Sequence, residues 1–292
     1  DNNYQAAMMA PTEVLAQQHF SSLKIWTDLL GLEISLLTGS VKTSARKKIF
    51  KNLVSGETNI IVGTHALIED SVVFNNLGVA IIDEQHKFGV AQREKIKNKN
   101  SPSPHILVMT ATPIPRTLAM SLYGDLDLSV IDELPPGRKS ITTLHQTDHN
   151  RLKIWGFLKK EIKKGRQVYI VYPLIEESET LDLKDLMDGF ESVQRDFPKP
   201  EFQISIVHGK MKAEDKKYEM ERFISGVTQI MISTTVIEVG VNVPNASVMV
   251  IENAEKFGLS QLHQLRGRVG RGGEQSYCIL ITKDKLSDNG KI

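Results

Sequence analysis

The residues from Val79 to His86 read VAIIDEQH, an apolar run that stops abruptly at two adjacent acids. That is the pattern of a buried strand of a parallel sheet that carries a carboxylate pair out at its C-terminal edge. Such edges are where open α/β sheets bind their ligands. There one carboxylate can hold a magnesium ion through its water shell while its neighbour orients a water for attack on a phosphate. Phosphoryl transfer needs positioning and charge neutralisation more than covalent chemistry. Asp83 and Glu84 are the candidates for those two roles. On this stretch alone, an Asp-Glu pair that simply caps the helix after a strand remains the plain alternative.

The first half alternates short apolar runs with amphipathic stretches. Strands are expected at Tyr4–Ala10, Leu32–Leu37, Asn59–Gly63, Gly78–Ile82 and His105–Met109. Pro11-Thr12-Glu13 reads as a capped start of a helix that runs to Leu30 and ends at Gly31. A second helix, Thr43–Leu53, carries Arg46, Lys47, Lys48 and Lys51, a basic face that serves equally well as a solvated surface or a phosphate contact. Strands alternating with helices give a parallel, doubly wound sheet.

Around Pro135-Pro136-Gly137-Arg138 the alternation breaks, and a domain boundary is placed there, giving domains 1–137 and 138–292. The second half repeats the alternation. Strands are expected near Ile141–Leu144, Gln167–Tyr172, Phe202–Val207, Gln229–Ile232, Ser247–Ile251 and Tyr277–Ile281. Helices are expected near Arg151–Lys164, Leu183–Arg195, Ala213–Ile224 and Ser260–Arg266. Two similar α/β domains in tandem leave a cleft between them.

Charge narrows the partners. The 292 residues carry a formal net charge of +1, with 14 basic against 15 acidic residues up to position 150 and 22 against 20 beyond it. Neither half is a polycation, so a nucleic acid would be met by a local groove of amides and a few basic side chains. The one cysteine, Cys278, lies in the apolar stretch SYCILIT and can form no intrachain disulfide. It reads as a small buried hydrophobe in a reducing cytoplasm. No apolar run approaches the roughly 20 residues of a membrane span. A soluble cytoplasmic protein with no membrane partner is the expectation.

Gln261–Gly272, QLHQLRGRVGRG, is the strongest cluster after the acid pair. Arg266, Arg268 and Arg271 are interleaved with glycines at the end of a short helix. Guanidinium groups make bidentate contacts to phosphate oxygens, and glycine lets backbone approach a partner closely. Such a set suits an arginine finger, with a generic basic turn as the plain alternative.

The ordered set PTEVLA (11–16), GTHAL (63–67), DEQH (83–86), TATPIPRTL (110–118), STTVIEVGVNVPNAS (233–247) and QLHQLRGRVGRG resembles the motor of a superfamily-two helicase. More narrowly it resembles the RecG branch-migration helicases of bacteria, over nearly the whole chain. The motor of the transcription-repair coupling factor is the nearest rival and shares the TATPIPRTL and QLHQLRGRVGR stretches. That motor has DEEH and a threonine after the first glutamate of its fifth motif, where this chain has Gln85 and Val239. The resemblance implies two RecA-like α/β domains in tandem, each a mostly parallel sheet flanked by helices. It also implies ATP-driven remodelling of replication forks and Holliday junctions, with ATP and Mg2+ as cofactors and branched double-stranded DNA as partner.

Position by position, the resemblance implies that Asp83 coordinates magnesium and Glu84 activates the attacking water. Gln85 and His86 would pass nucleotide state towards the DNA side, and Thr110, Ala111 and Thr112 would couple the two domains. Pro11, Thr12, Gly63 and Thr64 would contact the phosphates of a DNA strand. In the second half Thr234, Thr235 and Gly240 would touch DNA and nucleotide, with Asn242 beside the nucleotide. Gly209 and Lys210, in His208-Gly209-Lys210, resemble a further DNA-contacting turn. Gln264, Arg268 and Arg271 would face the triphosphate. For Pro11, Gly63 and Gly209, plain turn geometry explains the residue nearly as well.

Two departures stand out. Residue 242 is asparagine where the family pattern has an acid more often, although an amide can still hydrogen-bond a hydroxyl. The glycine-rich loop GxxxxGK[ST], which cradles phosphates and supplies a magnesium ligand, is found nowhere in the 292 residues. The expectation is therefore a motor fragment that is inactive alone, its parent being an ATP-dependent DNA helicase. A non-catalytic nucleic-acid-binding module is the alternative of another class. Oligomeric state and direction of travel are not legible in the sequence.

Overall fold

A computed structural model describes residues 3–84, 88–110, 127–173, 179–234 and 243–283. The chain forms two compact units, one holding the described residues up to 110 and the other those from 127 onward. Each unit is built on a wholly parallel sheet. No helix among the described residues is long and apolar enough to cross a membrane.

The first unit contains β1 (Gln5–Met9), α1 (Glu13–Leu30), β2 (Ile34–Leu37), α2 (Thr43–Ser55), β3 (Ile60–Gly63), β4 (Leu77–Ile82), α3 (Val90–Lys97) and β5 (His105–Val108). Its strand order is β2-β3-β1-β4-β5. Met9 pairs with Gly63 on one side and Ile82 on the other, so the C-terminal ends of three strands lie level. One face packs Met9, Leu37, Leu53, Ile61, Leu67, Leu77 and Ile82, and the other packs Ala10, Ala16, Ile34 and Val62. Helix α1 starts and stops where its sequence says it should. The Thr12 hydroxyl accepts from the Leu15 amide, and Gly31 takes the left-handed conformation at φ 67°. Helix α3, with few apolar residues, is the element the sequence pattern did not announce.

The second unit contains β6 (Thr142–Thr147), α4 (Arg151–Lys163), β7 (Gln167–Val171), α5 (Glu179–Asp196), β8 (Ile204–Val207), α6 (Ala213–Ile224), β9 (Ile230–Ser233), β10 (Ala246–Ile251), α7 (Leu259–Arg266) and β11 (Tyr277–Thr282). Its strand order is β6-β11-β10-β7-β9-β8. The core holds Trp155 edge-on to Phe197, with ring centroids 5.7 Å apart, and Phe202 against Phe197.

The two units repeat one another down to single hydrogen bonds. Residues 34–64 and 204–234 align without a gap, with Ile34, Ser35, Gly39, Lys42, Lys47, Ser55, Gly56, Thr58, Ile60 and Thr64 recurring as Ile204, Ser205, Gly209, Lys212, Lys217, Ser225, Gly226, Thr228, Ile230 and Thr234. Ser35 Oγ lies 3.3 Å from Thr58 Oγ1, and Ser205 Oγ lies 2.9 Å from Thr228 Oγ1. Gly56 and Gly226 close α2 and α6 at φ 82° and 77°, a conformation that favours glycine. Gln5 and Gln167, each 3% exposed, open the equivalent strands β1 and β7. The Gln5 amide donates to the carbonyls of Leu53 and Thr58, and the Gln167 amide to those of Phe223 and Thr228. Most buried polar side chains in folded proteins are satisfied in this way.

Candidate nucleotide and nucleic-acid site

In the first unit the level strand ends bring most of the expected residues to one sheet edge. Pro11 and Thr12 follow β1, Gly63 ends β3 with Thr64 next to it, Asp83 and Glu84 follow β4, and Thr110 lies just beyond β5. The Asp83 amide still donates to the Met9 carbonyl at 2.9 Å, so the acid is fixed to the last rung of the ladder. Glu84 then takes φ 51°, in the left-handed region, and its amide donates to Asp83 Oδ1 at 2.9 Å.

Asp83 Oδ2 has a partner that the sequence pattern did not single out. His19 Nε2, from the second turn of α1, lies 2.8 Å away, and both side chains are partly buried. The helix that begins at Thr12 is thereby tied to the carboxylate after β4. Helical spacing could have placed His19 on the α1 face towards the sheet, but nothing in sequence names its partner.

The duplicated unit supplies an internal control. Glu252 follows β10 as Asp83 follows β4, its amide donating to the Val171 carbonyl at 2.8 Å. Its side chain is 3% exposed and bound by both terminal nitrogens of Arg151, at 2.7 and 2.9 Å. Burial works against the Arg151 charge, but the carboxylates of Glu252 and Asp148 outweigh it and raise its pKa. An acid held in that way is committed to the fold. Asp83, facing an amide and an imidazole, keeps oxygen lone pairs of the hard kind that magnesium and its waters prefer. No cluster of three or more metal-ligating side chains exists among the described residues.

Thr64 and Thr234, at equivalent positions after β3 and β9, are each 2% exposed, and their hydroxyls have no hydrogen-bond partner among the described residues. Unsatisfied buried hydroxyls are costly, and each of these stands just past the C-terminal end of a strand. Gly63 has a packing reason as well, since a side chain there would strike the Leu37 carbonyl. Gly209 and Lys210 are exposed in the turn after β8. Beside them, burial and the charges of Lys216 and Lys210 lower the His208 pKa.

Helix α7 places Gln264, and the turns after it carry Arg268 and Arg271. Burial and the charge of Arg138 lower the Arg271 pKa, while Tyr169 in β7 opposes them. Burial in turn raises the Tyr169 pKa against the charges of Arg271 and Arg268. Glycine is required here for internal reasons. Gly270 sits at φ 75°, where a side chain would also come within 2.8 Å of Ile141, and one at Gly272 would come within 2.7 Å of the Pro244 carbonyl. These glycines let the arginine turn pack against its own unit, a reason different from close approach to a ligand. Gln85, His86, Ala111, Thr112, Thr235, Gly240 and Asn242 lie outside the described residues.

Comparison with known proteins agrees with the two-domain fold. The DEAD/DEAH box helicase model matches residues 1–121, and the helicase conserved C-terminal domain model matches residues 153–273. The chain is 54% identical over 286 residues to the "ATP-dependent DNA helicase RecG" of Synechocystis sp., covering 98% of this chain and 34% of that protein. It is 50% identical over 291 residues to the protein of the same name from Bacillus subtilis, covering 99% and 42%. A solved structure of RecG bound to a three-way DNA junction superposes with a TM-score of 0.79 at 41% identity, over 99% of this chain and 37% of that one. The helicase MrfA bound to DNA and AMPPNP, at 19% identity and a TM-score of 0.71, shares the fold. The chain thus spans well under half the length of the curated relatives it matches. It is a tandem pair of RecA-like helicase domains, similar over nearly its whole length to part of the RecG helicases.

Proposed function

We propose that this chain is the motor of an ATP-driven translocase that remodels branched double-stranded DNA, replication forks and Holliday junctions among them, in recombination and repair. The observation that carries the reading is the edge of the first sheet. There Asp83 and Glu84, the helix start at Thr12 and the buried Thr64 hydroxyl meet on three adjacent strands. We assign the motor domains to residues 1–137 and 138–292, with residues 127–137 grouping with the second unit.

Mg2+ would be held by Asp83 through water, and its role when bound with ATP is to neutralise charge on the phosphates. Asp83 is held by its bonds to the Glu84 amide and to His19. Glu84 takes a proton from the attacking water. Arg268 and Arg271 bring positive charge to the transition state, and Gln264 positions beside them. Pro11, Thr12, Gly63, Thr64, Gly209, Lys210, Thr234 and Thr235 hold a DNA strand by its phosphates. Gln85, His86, Thr110, Ala111 and Thr112 pass the state of the nucleotide to them, with Gly240 and Asn242 on the nucleotide. The phosphate cradle itself is not encoded in residues 1–292.

The test is a full-length RecG host in which residues 1–292 replace the corresponding stretch. ATP-dependent regression of a synthetic fork at a rate near the host's supports the reading. A folded, DNA-binding graft with no remodelling activity refutes it.

A further inference from the structure

Helices α2 and α6 occupy the same place in the two repeated units, follow equivalent turns and end on equivalent glycines, yet their charges have diverged. Helix α6 carries Glu214 and Asp215 in its first turn and Glu219 and Glu221 beyond, against Lys216, Lys217 and Arg222. Its acids sit where the positive end of a helix favours them. Helix α2 has no acid at all. It carries Arg46, Lys47, Lys48 and Lys51, and like α6 with Lys212 it has a lysine, Lys42, as its N-cap residue with no side-chain capping bond.

That arrangement is poor for the helix itself. Lys42 sits at the end of the dipole that repels cations, and Lys47 and Lys51 are like charges one turn apart. Of the set, Arg46 is engaged within its own unit, bonded to Glu69 at 3.0 Å and lying over the Phe50 ring. Lys42, Lys47, Lys48 and Lys51 are exposed and form no ion pair among the described residues. Helical spacing puts Lys47, Lys48 and Lys51 on one face. Since the sister helix shows that the fold at this place accepts acids, the basic face of α2 is not a packing requirement.

We propose that the basic face of α2 is a second DNA-binding surface, gripping the phosphates of the duplex apart from the residues at the sheet edge. The surface rests on the reading of the chain as a DNA motor. It is continuous with that edge, because Glu13 Oε1 in the first turn of α1 accepts from the Ser40 amide at 2.9 Å in the turn leading to α2. From Lys42 to Lys51 the helix rises roughly 13 Å at 1.5 Å per residue, about the axial length of four nucleotides of one strand. Lysines there bind as mobile point charges that need no fixed register, which suits a surface that slides.

The experiment measures binding of the 292-residue chain to fork DNA across a salt series, for wild type, for Lys47→Gln/Lys48→Gln/Lys51→Gln, and for Lys216→Gln/Lys217→Gln on α6. The α2 variant is expected to lower the slope of log affinity against log salt by about 2 to 3, near 0.9 for each phosphate that is no longer neutralised, equally for different base sequences. Arginine at the same three positions should restore the slope. The α6 variant should leave it almost unchanged. Thermal unfolding should show the α2 variant at least as stable as wild type, since like charges have been removed. Unchanged affinity and slope in a chain that still binds DNA would overturn the surface while leaving the motor reading intact. Failure of the wild-type chain to bind DNA at all would overturn both.

Discussion

His19 Nε2 stands 2.8 Å from Asp83 Oδ2, joining the helix that starts at Thr12 to the acid at the end of β4. Groups that orient a metal-bearing carboxylate typically matter by about 10–100-fold in affinity or activity. In the full-length graft, His19→Ala should therefore raise the magnesium concentration needed for half-maximal turnover by about tenfold. His19→Gln, which can still donate a hydrogen bond, should recover part of that loss. A magnesium requirement unchanged in both variants would show that the contact is incidental.

Arg271 stands in a turn whose glycines are fixed by packing against Ile141 and Pro244. Replacing it with alanine in the graft should cut DNA-stimulated ATP hydrolysis by about 10³–10⁵-fold, the range seen on losing an arginine finger. Fork affinity should hardly change. Collapse of DNA affinity with turnover per bound enzyme intact would move Arg271 to the DNA surface.

Gln5 satisfies two carbonyls with its amide nitrogen and the amides of Asn75 and Asn76 with its oxygen. Gln5→Met keeps the volume and takes away the side-chain partner of the Thr58 carbonyl and the Asn76 amide, at a cost of about 2 kcal/mol or more to the first unit. Gln167→Met should act likewise on the second. Urea unfolding of each variant should shift the transition of its own unit, and a variant that unfolds as wild type does would contradict the satisfied-glutamine account.

The isolated chain should bind magnesium-ATP weakly, because no GxxxxGK[ST] loop is present in residues 1–292 to surround the phosphates. Calorimetry decides this. Micromolar binding by the isolated chain would mean that another loop cradles the triphosphate.

Much of the fold could be read from sequence because its strands are short, apolar and bounded by turn residues. Helix α1 and helix α6 have the limits that their periodicity set, and β4 stops at Ile82, just before Asp83, as its abrupt change of polarity implied. What escaped was set by tertiary contacts. Helix α3 has too few apolar residues to show a pattern, and the His19–Asp83 contact joins residues far apart in sequence. The duplicated hydrogen bonds of Gln5 and Gln167 became visible only once the strands were aligned in space. The glycines after Arg268 were legible as a motif, but their reason, room for Ile141 and Pro244, was not.

DNA-stimulated phosphate release by the graft, compared between wild type and Glu84→Gln, bears most directly on whether this sheet edge is the catalytic heart of a DNA motor. Wild type should release phosphate faster when branched DNA is added. Glu84→Gln should bind ATP nearly as well yet lose about 10²–10⁴-fold in turnover, since only the activation of water is removed. Release at the wild-type rate by Glu84→Gln, or turnover by wild type that ignores DNA, would contradict the assignment of this chain as an ATP-driven DNA motor.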